Sequence, residues 1–227
     1  RREVDFLEDH LQIGKSDTVL DLCGGHGRHS LELARRGYGA ATVLDYSGYL
    51  VQLGKDKAGE QGLPDGFVQA DARETGLAGE RFDFVLVMAN SFGYFPDDSD
   101  NLQILCEASR LCRPGGTLLL DLLDSDYVLE NFRPSSVHKA TEDITVNRER
   151  ELSENMSRVR ETVVSGARGL LREGTYCERL YKEDELVGLL KQAGFERIDF
   201  KTDFSSHRNP GDYGFMTQRV IVTAVRR

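Results

Sequence analysis

The segment Thr18 to Leu22 (TVLDL) is a short apolar run cut off by glycines at positions 24, 25 and 27. SLELARR follows, with Leu31, Leu33 and Ala34 spaced for one face of a helix. Strand, glycine turn, helix opens a crossover unit, and the order recurs along the chain. A strand over Ala41 to Leu44 ends at Asp45 and feeds a helix over Tyr49 to Gly59, and a strand over Phe67 to Ala70 ends at Asp71. Two such crossovers call for a parallel sheet, because parallel neighbours need a helix-length connection between them. Phe82 to Met88 (FDFVLVM) is nearly continuous in apolar residues, as in a strand covered by helices on both faces. A helix over Asn101 to Leu111 is stopped by Arg113-Pro114-Gly115-Gly116, and Thr117 to Leu123 (TLLLDLL) gives a fifth strand.

From Pro134 to Tyr181 the texture changes. Charged residues interleave with β-branched ones, as in DITVNRERE, RVRETVVS and GTYCERLY, and the alternation of Ile144 and Val146 with polar neighbours predicts three antiparallel strands. Helix–strand order resumes with a helix over Lys182 to Ala193, ended by Gly194, and strands over Phe195 to Phe204 and Gln218 to Val225. Residues 134–181 are therefore an antiparallel β insertion in a single domain spanning residues 1–227, either covering the substrate side or forming a dimer face. A monomer and a homodimer are both compatible with that reading.

Charge and composition exclude some functions. With 29 Lys plus Arg against 38 Asp plus Glu, the net charge of −9 opposes sequence-independent binding to nucleic acid or to an anionic membrane. No apolar run approaches the ~20 residues of a membrane span, and RREVDFLEDH lacks the apolar core of a signal peptide, so a cytoplasmic location is expected. The chain opens at Arg1 without a methionine, which leaves a preceding segment open. Cys23, Cys106, Cys112 and Cys177 show no CxxC spacing, so free thiols and no metal site are expected.

The turn Asp21-Leu22-Cys23-Gly24-Gly25-His26-Gly27 falls where an open parallel sheet places its ligand, beyond the carboxyl ends of the strands. Gly25 and Gly27 let a ligand approach the backbone. Asp45 can accept hydrogen bonds from both hydroxyls of a ribose; Asp71 can accept one from the exocyclic amine of an adenine, with the Ala72 amide donating to the ring. Taken singly, each aspartate also reads as a helix cap or turn residue. Three acids in register at strand ends are harder to explain that way. A dinucleotide fold wants G-x-G-x-x-G beneath a pyrophosphate, which Asp21 would repel. An ammonium would be welcome there, so a nucleoside with an amino-acid tail fits better than a nicotinamide dinucleotide.

With these residues in place, the sequence resembles the class I S-adenosylmethionine-dependent methyltransferases. VLDLCGGHGRHSLELARRGY is similar to that family's first motif, TVLDYS to its ribose-binding segment, QADAR to its adenine motif, FDFVLVMANSFGYF to its fourth-strand motif and LCRPGGTLLLDLL to its fifth strand. ELVGLLKQAGFERIDF and QRVIVTAV are similar to its last helix and closing strand pair, so the resemblance spans nearly the whole chain, closest to small bacterial members with a β insertion before the last helix. It implies an α/β, doubly wound, Rossmann-like fold with a seven-stranded sheet in order 3-2-1-4-5-7-6, strand 7 antiparallel. It also implies S-adenosylmethionine as cofactor and S-adenosylhomocysteine as product. Asp21, Cys23, Gly25 and Gly27 would line the methionine moiety, Asp45 and Tyr46 hold the ribose, Asp71 and Ala72 the adenine, and Met88, Ala89, Asn90 and Ser91 pass beneath the sulfonium. Cys23 stands at the family's usual first glycine, and His26 where Thr or Ser is frequent.

A sulfonium methyl is already activated, so such an enzyme mainly aligns a nucleophile with it and excludes water. If a base assists, Tyr94, His138, His207 and Tyr213 are the candidates, although each histidine also reads as an ordinary core or surface residue. Asn90-Ser91-Phe92-Gly93-Tyr94 lies where enzymes methylating nucleobase or glutamine amino groups carry Asn-Pro-Pro-Tyr, and its lack of prolines speaks against that chemistry. The insertion's arginines alternate with glutamates, which favours a solvated, self-paired sheet face over a basic binding surface. The expected activity is methyl transfer to N or O of a small-molecule acceptor. The alternatives are methylation of tRNA or protein, and a non-catalytic S-adenosylmethionine-binding protein.

Overall fold

The computed structural model describes residues 2–39, 41–204 and 218–227. The alternation read from the sequence becomes α1 (Arg2–Leu11), β1 (Val19–Leu22), α2 (Arg28–Arg35), β2 (Ala41–Asp45), α3 (Gly48–Glu60), β3 (Phe67–Gln69), β4 (Phe82–Val87), α4 (Asp98–Leu111) and β5 (Cys112–Leu123). A short α5 (Ser125–Glu130) leads to β6 (Ser135–Lys139), β7 (Ile144–Ser153), β8 (Met156–Ser165) and β9 (Gly169–Arg179), and α6 (Glu183–Gln192), β10 (Phe195–Phe204) and β11 (Arg219–Arg226) close the chain.

The main sheet has seven strands in the order β3-β2-β1-β4-β5-β11-β10. β3 through β5 run parallel, while β11 is antiparallel to both β5 and β10. This is the anticipated order, with β11 as the reversed seventh strand. Side chains explain why both faces are covered. Val85, Val87, Leu118, Leu120, Leu122, Val220 and Val222 pack into one core with Ile104 and Leu105 of α4 and Leu186 and Leu190 of α6. The intervening Leu86, Leu119 and Ile221 pack on the other face with Val4 and Leu7 of α1 and Leu33 of α2. With successive strand side chains pointing to opposite faces, a strand apolar at every position has to be sandwiched between helix layers.

Four elements depart from the expectation, the first being the short helix α5 between β5 and the insertion. The insertion is a four-stranded antiparallel sheet, β6-β7-β8-β9, one strand more than anticipated. The extra strand, β6, has the sequence SSVHK, whose only aliphatic residue, Val137, is 63% exposed, so no buried face marks it in the sequence. α1 was unread because it buries only two aliphatic side chains, Val4 and Leu7. β5 begins at Cys112, ahead of the anticipated Thr117, because the chain pairs through Pro114-Gly115-Gly116 with an irregularity opposite Phe82 and Phe84. No helix among the described residues is long and apolar enough to cross a membrane.

Candidate functional site

The turn after β1 is held from two sides. Cys23, Gly25 and Gly27 all have positive φ, at 60°, 58° and 71°. At Gly27 a side chain is excluded twice over, since an added Cβ would also lie 2.7 Å from the Phe67 ring. The Asp45 carboxylate fastens the turn across the strand gap: Oδ2 accepts from the Gly25 amide at 2.8 Å and Oδ1 from the Ser47 amide at 2.8 Å. Ser47 in turn caps α3 through the Leu50 amide.

Asp21 sits one step deeper, fully buried and level with Val43 of β2. Its Oδ2 accepts from the Ser30 hydroxyl at 3.0 Å, while Oδ1 has no hydrogen-bond partner among the described residues. Burial pushes its pKa up, against the opposing charge of His29, the Ser30 hydrogen bond and the charge of Arg28. The three acids are not level along the strands as the sequence reading had them. Asp45 is level with Gln69, and Asp71 lies beyond the end of β3. They converge instead on Cys23, whose thiol is pushed up to about 12 by burial and by the charges of Asp45, Asp21 and Asp71.

Asp71 is already engaged. Arg73 chelates it, with Nη2 at 2.7 Å from Oδ2 and Nε at 3.1 Å from Oδ1, and its other terminal nitrogen holds Asp100 of α4 at 2.7 Å. Hydrogen bonding to Arg73 draws the Asp71 pKa below the usual carboxylate range. The Arg73 guanidinium also lies over the Phe95 ring, 4.4 Å from its centroid. The sequence reading missed this arginine, and its spacing from Asp71 gave no sign of chelation.

The turn after β4 is strained and tightly fixed. Ala89 and Asn90 are both at φ 57°, a left-handed conformation that costs energy for residues with a Cβ and persists where the surroundings enforce it. The Ala89 amide donates to Asp121 Oδ2 at 2.9 Å, the Asn90 amide to the Asp121 carbonyl at 2.7 Å, and Asn90 Oδ1 accepts from the Leu123 amide at 3.1 Å. Behind this turn runs a buried ionic chain. Asp121 Oδ2 pairs with Arg219 Nη1 at 2.8 Å, and Arg219 Nη2 pairs with Glu3 of α1 at 2.9 Å. Glu3 also meets Arg28 at 2.7 Å and His29 at 3.1 Å. Burial alone would raise the Glu3 carboxyl, but the His29 hydrogen bond and the charges of His29 and Arg28 hold it far below its ordinary range. Neither Glu3 nor Arg219 was singled out from the sequence, because the two lie 216 residues apart and meet only in the folded chain.

Two adjoining cavities open around the turns after β1 and β4. The larger, about 500 Å³, is lined by Cys23, Asp45, Tyr46, Asp71, Ala72, Arg73, Ser91, Tyr94, Phe95 and Ile104. The smaller, about 180 Å³, is lined by Asp21, Cys23, the two following glycines, His26, Arg28, His29, Met88, Ala89 and Ser91. They meet at Cys23 and Ser91. Tyr94 thus lies in the site, whereas His138 sits on the outer strand β6, opposite Val146, and lines neither cavity. His207 and Tyr213 lie outside the described residues.

The end of β9 is stitched to the loop after β4. The Arg179 amide donates to the Gly93 carbonyl at 2.8 Å and its guanidinium to the Pro96 carbonyl at 2.6 Å, and the Tyr181 hydroxyl donates to Asp98 at 2.7 Å. These bonds bring Tyr176 and Glu178 beside Tyr94.

Comparison with known proteins agrees with this geometry. Residues 19–116 match the family model of a methyltransferase domain. A crystal structure of an S-adenosylmethionine-dependent methyltransferase from Clostridium acetobutylicum superposes with a TM-score of 0.81 at 18% identity, covering 99% of this chain and 91% of that one. Residues 19–116 thus mark the chain as a methyltransferase, and its fold is that of the S-adenosylmethionine-dependent methyltransferase it superposes on. This methyltransferase is 28% identical over 192 residues to the putative methyltransferase YqeM of Bacillus subtilis, covering 82% of this chain and 76% of that protein. It is also 26% identical over 225 residues to a glycine/sarcosine N-methyltransferase of Halorhodospira halochloris, covering 95% and 79%. S-adenosylmethionine is accordingly the cofactor of the methyltransferase, and its family match ends at the start of β5, short of the insertion.

Proposed function

We propose that this methyltransferase transfers the methyl group to N or O of a small-molecule acceptor, with the cofactor seated across the two joined cavities. The observation that carries the reading is the junction at Cys23 and Ser91. A nucleoside needs a large cavity with acids at its rim, and an amino-acid tail needs a small one with an unmatched carboxylate. The larger cavity offers Asp45 with Tyr46 to the ribose and Asp71 with Ala72 to the adenine, and the smaller offers the unpartnered Oδ1 of Asp21 to an ammonium. Cys23, Gly25, Met88, Ala89 and Ser91 line the smaller cavity beside the junction, Gly27 and Asn90 shape the two turns without lining either cavity, and Arg28 supplies positive charge for a carboxylate. The cofactor supplies an electrophilic methyl carbon bound to a positively charged sulfur.

Around that carbon the chain needs to exclude water and aim a nucleophile. The fixed backbone of Ala89 and Asn90 suits a rigid floor, and the β insertion, tied to the loop at Gly93 and Pro96, suits a cover on the acceptor side. The net charge of −9 supports a small acceptor over a nucleic acid, and the four free cysteines suit a cytoplasmic enzyme.

Calorimetric titration with S-adenosylmethionine, S-adenosylhomocysteine and NAD tests the reading. The first two are expected to bind and NAD not. Asp45→Ala is expected to weaken binding by about 2 to 4 kcal/mol, since it removes charge-assisted hydrogen bonds and releases the Gly25 amide. Unchanged affinity in a folded Asp45→Ala protein would remove the ribose assignment.

A further inference from the structure

Glu178 is the carboxylate that the insertion contributes beside the larger cavity. It lies on β9, opposite Ser157 of β8, and its Oε1 accepts from the Tyr94 hydroxyl at 3.4 Å. Tyr94 lines the larger cavity together with Ser91 and Phe95. The Tyr176 ring, two residues before Glu178, is 6.0 Å from the Tyr94 ring at an interplanar angle of 38°. The Asn90 side chain is held at the turn after β4, where its Oδ1 accepts from the Leu123 amide at 3.1 Å. Tyr94 therefore links the wall of the larger cavity to Glu178 of the insertion.

We infer that the methyl acceptor is an amine that arrives as an ammonium ion, held at the Tyr94 and Tyr176 rings and relieved of its proton through the Tyr94 hydroxyl by Glu178. The inference rests on the methyl-transfer reading above and narrows its acceptor. Charge supports it first. A half-buried carboxylate beside two aromatic rings favours a ligand that brings a positive charge. The cations facing Glu178 are Arg148 and Arg150 of β7, but Arg148 is bound to Glu161 of β8 at 2.9 Å and Arg150 reaches the Ser136 hydroxyl at 3.0 Å. Among the described residues, Tyr94 is the side chain that hydrogen-bonds Glu178.

Proton affinity supports it second. Burial raises the Glu178 pKa, with Arg150 opposing and Glu161 adding to the rise, and burial and Glu178 together raise that of Tyr94. A carboxylate shifted upward is a serviceable acceptor for the proton of an alkyl ammonium, whose pKa is about 10, and a poor one for an alcohol, which is far less acidic. The step balances. The ammonium gives one proton to Glu178 by way of Tyr94, and the freed nitrogen lone pair forms the bond to the methyl carbon. The carbon–sulfur bond breaks with its electron pair kept on sulfur, and Glu178 returns its proton to solvent. Glu178 acts through Tyr94 and is a positioning residue in this scheme.

The test pairs four amines with their hydroxyl counterparts: benzylamine with benzyl alcohol, glucosamine with glucose, glycine with glycolate, and putrescine with butane-1,4-diol. S-adenosylhomocysteine binding is measured first by calorimetry, and its release on turnover is then followed for each probe. Turnover of at least one amine above its hydroxyl counterpart is expected. For that amine, Glu178→Gln is expected to lower kcat/KM about 100-fold or more and to abolish the acidic limb of its pH profile, with S-adenosylhomocysteine affinity unchanged. Glu178→Asp is expected to restore part of the limb. If the wild-type protein fails to bind S-adenosylhomocysteine, the cofactor reading falls and this inference falls with it. If it binds, but no amine exceeds its counterpart or Glu178→Gln keeps the wild-type pH profile, the amine inference alone is overturned.

Discussion

The strand ends of the main sheet and the β insertion solve the same problem, holding polar groups at a cavity, by opposite means. On the main sheet the groups are fixed by backbone and by buried partners. Asp45 accepts from two amides, and Asp121 holds two successive peptide units of the turn after β4 while pairing with an arginine that is 1% exposed. On the insertion the polar groups are held by one another. Arg160 of β8 pairs with Glu173 at 2.7 Å and with Glu149 at 3.5 Å, with all three side chains well exposed. Covalent reach and burial make the first region rigid. The second keeps its geometry while individual side chains remain replaceable, a division suited to a constant cofactor and a variable acceptor.

The largest effect that distinguishes the two regions is expected at Arg219. Its guanidinium joins Glu3 of α1 to Asp121 of β5, and replacing it by alanine takes the cationic partner from the fully buried Asp121 and leaves Glu3 with Arg28 and His29. Arg219→Ala is expected to destabilise the fold by about 3 to 5 kcal/mol, because breaking a buried ion pair leaves an uncompensated charge. At roughly 2 to 4 °C per kcal/mol for a chain of this size, the melting temperature should drop steeply. A loss of only a few degrees would show that the ionic chain behind the turn is not what fixes it.

Asp21 gives the next effect, and it runs in two directions. Its folded pKa is raised above the ordinary carboxylate value by burial, so the folded protein binds a proton that the unfolded chain has released. The stability contributed by that proton is fully present below the unfolded pKa and is lost as pH rises through the folded one. At neutral pH, well above the ordinary carboxylate value, the buried Asp21 carboxyl is a cost to the fold without its ligand. Asp21→Asn is therefore expected to raise the melting temperature of the ligand-free protein at pH 7, while lowering S-adenosylmethionine affinity by about 1.5 to 3 kcal/mol. Paired melting curves and calorimetry check both signs. A variant that melts lower and binds as before would mean that Asp21 serves the turn and not the cofactor.

The same contrast explains what was legible in the sequence. The central strands of the main sheet announce themselves because they are apolar at successive positions, and the glycine turn and its acids lie within one local stretch from Asp21 to Asp71. The order 3-2-1-4-5-7-6 came with the family resemblance, and the structure has it. What stayed hidden is non-local or two-sided. Glu3 and Arg219 are 216 residues apart and meet only in the folded chain. Glu178 is one of several glutamates in a charged strand, and only the stitching of β9 to Gly93 and Pro96 distinguishes it from Glu173. β6 went unread because an edge strand with an exposed valine has no buried face to impose a pattern.

The smallest effect is expected on the insertion's outer face. Arg160 carries two ion pairs, which makes it a natural candidate for holding β7, β8 and β9 together. The physics of exposed pairs says otherwise. Both of its partners and Arg160 itself meet water, ordering the long side chains costs entropy, and salt screens the attraction. The sheet is held instead by its antiparallel backbone ladder and by Val159, which is fully buried. Arg160→Ala is accordingly expected to leave the melting temperature within the error of a thermal scan, at low salt as well as at high. Should it melt as early as Arg219→Ala, the insertion would be stapled by its charges, and the contrast between a buried scaffold and a replaceable surface would have to be abandoned.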